Sequence, residues 1–210
     1  VVLPGRRRQP DFEDVDRRVI QLFALVGELV AGATEALLTG DRQGARSLAQ
    51  RDAEVDERYH AVESLTWELL DSGDIGRQEL RYLVSVLHML PEIERSGDLA
   101  EHIASRGARG IGVEMSARAR GLVEQMGELA CKMWRMAADA YADRAADAAE
   151  RLDRLDDAMD DLTVTLTAEI VGGGMVLPVA VDVAMIGRFY ERLGDHAVNL
   201  ARRVTRWSMT

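Results

Sequence analysis

An all-α fold of six long helices is what the chain's pattern predicts, and three observations carry it. Apolar residues recur at helical spacing from Asp11 almost to the C-terminus. Aromatic residues make up 5% of the chain and prolines number four, so the runs that fill a sandwich or barrel are scarce. Short glycine-marked breaks separate the apolar stripes, which makes successive helices antiparallel neighbours. At 210 residues the chain is long enough to bury a sizeable core.

Val15, Val19, Leu22, Phe23, Val26, Leu29, Val30, Ala33 and Leu37 trace one stripe, which Gly40 ends. Asp41 can cap a second helix carrying Ala45, Leu48, Val55, Tyr59, Val62, Leu65 and Leu69 as far as the break at 71–74. A third begins near Gly76 and runs through Leu80, Leu83, Leu87, Leu90 and Ile93 to Ala104. Pro91, inside it, is expected to kink it. Gly107, Gly110 and Gly112 then fall within six residues, a candidate hinge. A fourth helix is expected from about Val113 to Tyr141, a fifth from Asp143 to Val171, and a sixth from about Val179 to Trp207. The expected organisation is therefore a basic arm at 1–10, a three-helix unit at 11–106, a hinge at 107–112 and a second three-helix unit at 113–210. The two units read as tandem, pseudo-symmetric three-helix bundles.

Charge and composition exclude several functions. There are 36 acidic and 26 basic residues, a net charge of −10, and Lys132 is the only lysine. Such a chain is a poor binder of a phosphate backbone, so no nucleic-acid partner is expected. Arg6-Arg7-Arg8 reads as a solvated arm. The longest apolar stretch, Met175 to Ile186, is interrupted by Pro178 and Asp182 and is too short to span a bilayer, and the apolar start Val1-Val2-Leu3 is no secretory signal. A soluble protein is expected. The single cysteine, Cys131, cannot form an internal disulfide, which fits a reducing compartment, and it reads as a small buried hydrophobe.

Comparing the halves is more informative. A shift of 104 residues lays Ala45, Leu48, Asp52 and Asp56 on Ala149, Leu152, Asp156 and Asp160. A shift of 97 lays Glu94, Arg95, Gly97, Asp98, Ala100 and Ala104 on Glu191, Arg192, Gly194, Asp195, Ala197 and Ala201. Each half thus holds two acidic pairs at a spacing of four. Residues four apart share a helix face about 5–6 Å from each other, and like charges there cost roughly 0.2–0.5 kcal/mol. None of Asp56, Asp98, Asp160 and Asp195 has an arginine four residues on. A solvated acidic face is the plain alternative, but repetition at matching places favours bound metal held by all eight carboxylates. Oxygen ligands suit iron, manganese, magnesium or calcium, with zinc less suited, and bridging carboxylates suit a multinuclear iron cluster. His60, four residues after Asp56, could add a nitrogen in the first half only. His102 and His196 read as surface or supporting residues, and His88 as packing or solvent-facing.

These residues resemble the PhoU family of phosphate-uptake regulators. Glu191-Arg192-Leu193-Gly194-Asp195-His196-Ala197-Val198-Asn199-Leu200-Ala201 is similar to the family's strongest signature, and Glu94-Arg95-Ser96-Gly97-Asp98 is its first-half copy. Pro91 and the Glu101-His102 ending depart from the pattern. The resemblance spans about Phe12 to Trp207. It implies a cytoplasmic regulator rather than an enzyme, binding multinuclear iron or other metals on its acidic motifs and forming a homodimer. Phosphate ABC transporter components and a sensor histidine kinase would be its partners, with membrane contact only through them. It would act as a negative regulator of phosphate transport and of the phosphate-starvation response. Two rival readings remain at this point. One is a ferritin-like di-iron enzyme, for which Glu57-Arg58-Tyr59-His60 supplies one Glu-x-x-His but the second half supplies none. The other is a metal-free helical adaptor.

Overall fold

The structure, a computed structural model, describes residues 12–73, 75–145 and 147–208, without the side chains of residues 207 and 208. The expected basic arm lies outside the described residues. Among those described there are eight helices and no strand: α1 (Phe12–Thr39), α2 (Arg42–Ala49), α3 (Asp52–Asp71), α4 (Arg77–Arg109), α5 (Ile111–Glu114), α6 (Ala117–Asp143), α7 (Ala148–Val171) and α8 (Leu177–Ser208).

The stripe read from the sequence is the buried face of α1, and the helix ends at Gly40, whose φ of +74° suits a glycine. Asp41 caps α2, its carboxylate accepting from the Gly44 N–H at 2.9 Å. The expected second helix is in fact two, α2 and α3. Gln50 and Arg51 keep near-helical angles, but the Arg51 N–H bonds Leu48 and the Glu54 N–H bonds Arg51, both at 3.0 Å. This three-residue spacing tightens one turn and starts a new axis at Asp52. Helix α4 is continuous through Pro91 over 33 residues. The expected fourth helix is also shorter than its pattern: Met115 is extended and Ser116 caps α6, accepting from the Ala119 N–H at 3.1 Å. Helix α8 begins at Leu177, with Pro178 in its first turn where no amide donor is needed.

Packing places α1, α4, α6 and α8 in a closed ring, α1 on α4 and α6, and α8 on α4 and α6. Helices α2 and α3 lie against α1 and α4, and α7 lies against α6 and α8. By length and composition α1 could cross a membrane, but its apolar stripe is part of the core. One core cluster runs through both halves, from Val15 to Val204. Buried polar bonds also cross between the halves. Thr34 Oγ1 and Tyr190 Oη lie 2.8 Å apart, Tyr82 Oη and Tyr141 Oη 3.1 Å, and Trp134 Nε1 donates to the Phe23 carbonyl at 2.9 Å. Helices α4 and α8 run antiparallel, since Ser96 meets His196 while Arg109, further along α4, meets Asp182 near the start of α8.

Glycine serves close approach in this ring. A Cβ on Gly112 would lie 1.7 Å from the Leu37 carbonyl oxygen, and one on Gly127 would lie 2.4 Å from Thr34 Cγ2. Gly107 sits in the last turns of α4, less tightly, a Cβ there standing 3.2 Å from Leu37 Cα and Ala45 Cβ.

Candidate metal centres

Both acidic sets form where a motif helix meets a glycine. In the first half, Val55 of α3 fits over Gly97 of α4, where a Cβ would stand 3.0 Å from Val55 Cγ1. That approach brings Asp52 and Asp56, in the first turns of α3, to Glu94 and Asp98 on α4. Their charges feel one another. Burial, then the charges of Asp98, Asp56 and Glu101, hold the Asp52 carboxyl above its usual range, with His102 opposing. Asp98 is raised by burial and by Asp56, and Glu94 by burial, Asp98 and Asp56. Asp52 Oδ1 is buried and has no hydrogen-bond partner among the described residues. An orphaned carboxylate oxygen is costly unless something positive meets it.

The second half repeats the arrangement with α7 and α8. Asp156 is pushed up to about 6, first by burial and then by Asp195, Asp160 and Asp153, against the opposing Arg202. Gly194 makes room for it, since a Cβ there would lie 3.1 Å from Asp156 Oδ1. Glu191 is ion-paired with Arg188. Asp153 pairs with Arg202 at 2.9 Å.

The structure therefore gathers Asp52, Asp56, Glu94 and Asp98 into one electrostatic set and Asp156, Asp160 and Asp195 into another. As the side chains stand, no three His, Cys, Asp or Glu side chains among the described residues form a metal-holding group. The donor set nevertheless fits a hard cation by chemistry. It is all oxygen, it carries excess negative charge, and one of its oxygens is buried and unpartnered.

Sequence reasoning missed two features here. Glu101, noted only as a departure from pattern, and His102, left open as a surface or supporting residue, border the first set, with His102 Nδ1 2.6 Å from Glu101 Oε2 and its ring 5.3 Å from Phe189. His196 is not on the surface: it is 6% exposed, wedged between α4 and α8 with Nδ1 2.9 Å from Ser96 Oγ and Nε2 3.7 Å from Glu92. Burial, with Arg192 and Arg95 nearby and Asp195 opposing, pushes its pKa down to about 4. The link is visible in the sequence only as Ser96 and His196 lying inside the two motif copies. His60 is 70% exposed and lies 3.5 Å from Glu63, and Glu57 is exposed too, so the lone Glu-x-x-His faces solvent. His88 is exposed. Cys131 is half-buried, and burial raises its thiol pKa, leaving it a packing residue.

The PhoU domain matches residues 19–107 and again 123–204, so each match contains one acidic set. The chain belongs to the PhoU family. A PhoU relative from Mycobacterium leprae, named phosphate-specific transport system accessory protein PhoU homolog 1, is 30% identical over 91% of this chain and 87% of its own. PhoU homolog 2 of Mycobacterium tuberculosis is 30% identical over 91% of both chains. The crystal structure of PhoU from Pseudomonas aeruginosa superposes with a TM-score of 0.86 at 27% identity, covering 93% of this chain and 95% of that one. A PhoU structure from Streptococcus pneumoniae shares the fold, with a TM-score of 0.82 at 22% identity over 93% of each chain.

Proposed function

We propose that this PhoU protein is a cytoplasmic regulator that restrains high-affinity phosphate ABC transport and the associated two-component phosphate-starvation response when phosphate is ample. The observation that carries the reading is the double PhoU match, together with relatives of similar length named as accessory proteins of the phosphate-specific transport system. It acts by contact with transporter components and a sensor histidine kinase, and no catalytic step is assigned to it. In this reading the chain is two pseudo-symmetric three-helix bundles joined at 107–112, and two copies pair as a homodimer. Deleting its gene tests the function: transporter expression in phosphate-rich medium should rise, and an unchanged level rejects negative regulation.

In the same reading each half holds metal. Asp52, Asp56, Glu94 and Asp98 would bind it in the first, and Asp156, Asp160, Glu191 and Asp195 in the second, with Glu191 turning from Arg188. A multinuclear iron cluster is favoured, with manganese, magnesium, calcium or zinc as alternatives. The metal would supply positive charge that ties α3 to α4 and α7 to α8. The buried, unpartnered Asp52 Oδ1 and the raised Asp156 support this. Elemental analysis of protein purified without chelator should find several metal ions per chain. Substoichiometric metal, unchanged by added iron, manganese or zinc, leaves the metal-free adaptor, a reading favoured by the lack of a three-ligand group among the described side chains.

A further inference from the structure

The α7–α8 hairpin shows solvent a seam that has the spacing of a buried one. On α7, Val164, Ala168 and Val171 follow at intervals of four and three, and on α8 so do Leu177, Val181 and Ala184, all exposed. Alternating intervals of this kind are what pack one helix against another, knobs into holes. Val164, Val171, Leu177 and Val181 are 70%, 80%, 77% and 55% exposed. Positions 162 to 181 hold a single charged residue, Glu169, in a chain that is 30% charged. Glu169 is itself engaged with Ser116 and Arg118. A large exposed apolar patch on a folded chain marks a contact surface.

The internal repeat argues that this is no accident of one surface. At the offsets of 104 and 97, Val171, Leu177 and Val181 fall on Trp67, Leu80 and Val84, and those three are also among the exposed large hydrophobics. The first-half version is more polar, with His60 where the second half has Val164. The hairpin of the second half is the stronger surface.

Charge selects the occupant. The α7 seam continues through Asp161 and Asp157 at the same spacing, both exposed, and no arginine among the described residues pairs with either. On α8 the seam continues through Arg188, which is bound to Glu191, and then past the exposed Arg192. We infer that the α7–α8 hairpin docks an amphipathic helix of a protein partner, apolar along the Val164–Val171 and Leu177–Val181 seam and basic where it crosses Asp157 and Asp161. A second copy would bring the same two aspartates and another net charge of −10 to the interface. A lipid surface would set them against anionic headgroups, and the seam has none of the tryptophan, tyrosine or lysine that membrane-surface helices use. The inference goes beyond the regulatory reading and does not need metal.

Fluorescence anisotropy of the full chain, with chelator present, tests it using a labelled helical peptide of leucine and lysine and a leucine–glutamate peptide of the same pattern. The leucine–lysine peptide should bind and the leucine–glutamate peptide should not. Leu177→Ser with Val181→Ser should weaken binding about tenfold, as loss of two aliphatic contacts implies. Asp157→Asn with Asp161→Asn should weaken it about threefold and flatten its salt dependence. Ile20→Ser, on α1, should change nothing. All variants alter exposed side chains, and melting curves check that they fold. Equal binding of both peptides, or binding indifferent to Leu177 and Val181, overturns the proposal. So does a dimer that dissociates in sedimentation when the seam is changed, or binding to phosphatidylglycerol vesicles that the same change abolishes.

Discussion

Replacing Asp156 with asparagine keeps the shape of the side chain and removes the charge that α7 holds against Gly194 and the neighbouring acids. The folded protein binds the Asp156 proton more tightly than the unfolded chain does, since its pKa stands at about 6 against an ordinary 3.8. Its contribution is therefore a penalty on the folded state, absent below pH 3.8, growing between 3.8 and 6, and complete above 6. Two pKa units correspond to about 3 kcal/mol, and because the carboxyl is partly solvated the penalty to expect is nearer about 1 kcal/mol. For a chain of this size that raises Tm by about 2–4 °C. Thermal melts in chelator should show Asp156→Asn above the wild type at pH 7.5 and level with it at pH 3.5. Added manganese or ferrous iron should reverse the order, because only the full carboxylate set gains by mass action. A variant that melts below wild type in chelator at pH 7.5, or a difference independent of pH, refutes the claim that these acids repel one another.

Three further outcomes follow from the same structure. Gly127→Ala puts a methyl within 2.4 Å of Thr34 Cγ2, and urea denaturation should show a loss of about 1–3 kcal/mol. Tyr190→Phe removes the partner of Thr34 Oγ1 across the ring of helices and should cost about 1 kcal/mol by the same assay. His196, held neutral with its pKa pushed down to about 4, contributes fully above pH 6.5 and loses that contribution as pH falls through 6.5 toward 4. The urea midpoint of the wild type should accordingly drop more between pH 7 and pH 4.5 than that of His196→Asn.

The helices were legible because their stripes are long: the α1 stripe from Val15 to Leu37 could be nothing else, and it is buried as written. The acidic sets were legible because the chain states them twice. What escaped was what periodicity does not encode. Gln50 and Arg51 break a helix without glycine or proline, by a shift of hydrogen bonds that leaves the side-chain pattern almost unchanged. Glycine density at 107–112 reads as freedom of movement, yet Gly107 and Gly112 are also where two backbones come closest, and composition does not separate the two uses. For His196 the sequence left a surface and a supporting role open, because its partner, Ser96, lies a hundred residues away on an antiparallel helix. Pairings between helices from different halves are set by how the ring closes, and no local spacing announces them.

The ring of α1, α4, α6 and α8 makes the two halves depend on each other. Phe23 packs against Trp134 and Thr34 bonds Tyr190, so each half of the chain shields the other from solvent. The outward faces differ between the halves, as His60 and Val164 do at matching positions, while the inward faces share one core. Neither half keeps its core dry alone, and the chain is one body with two unequal sides.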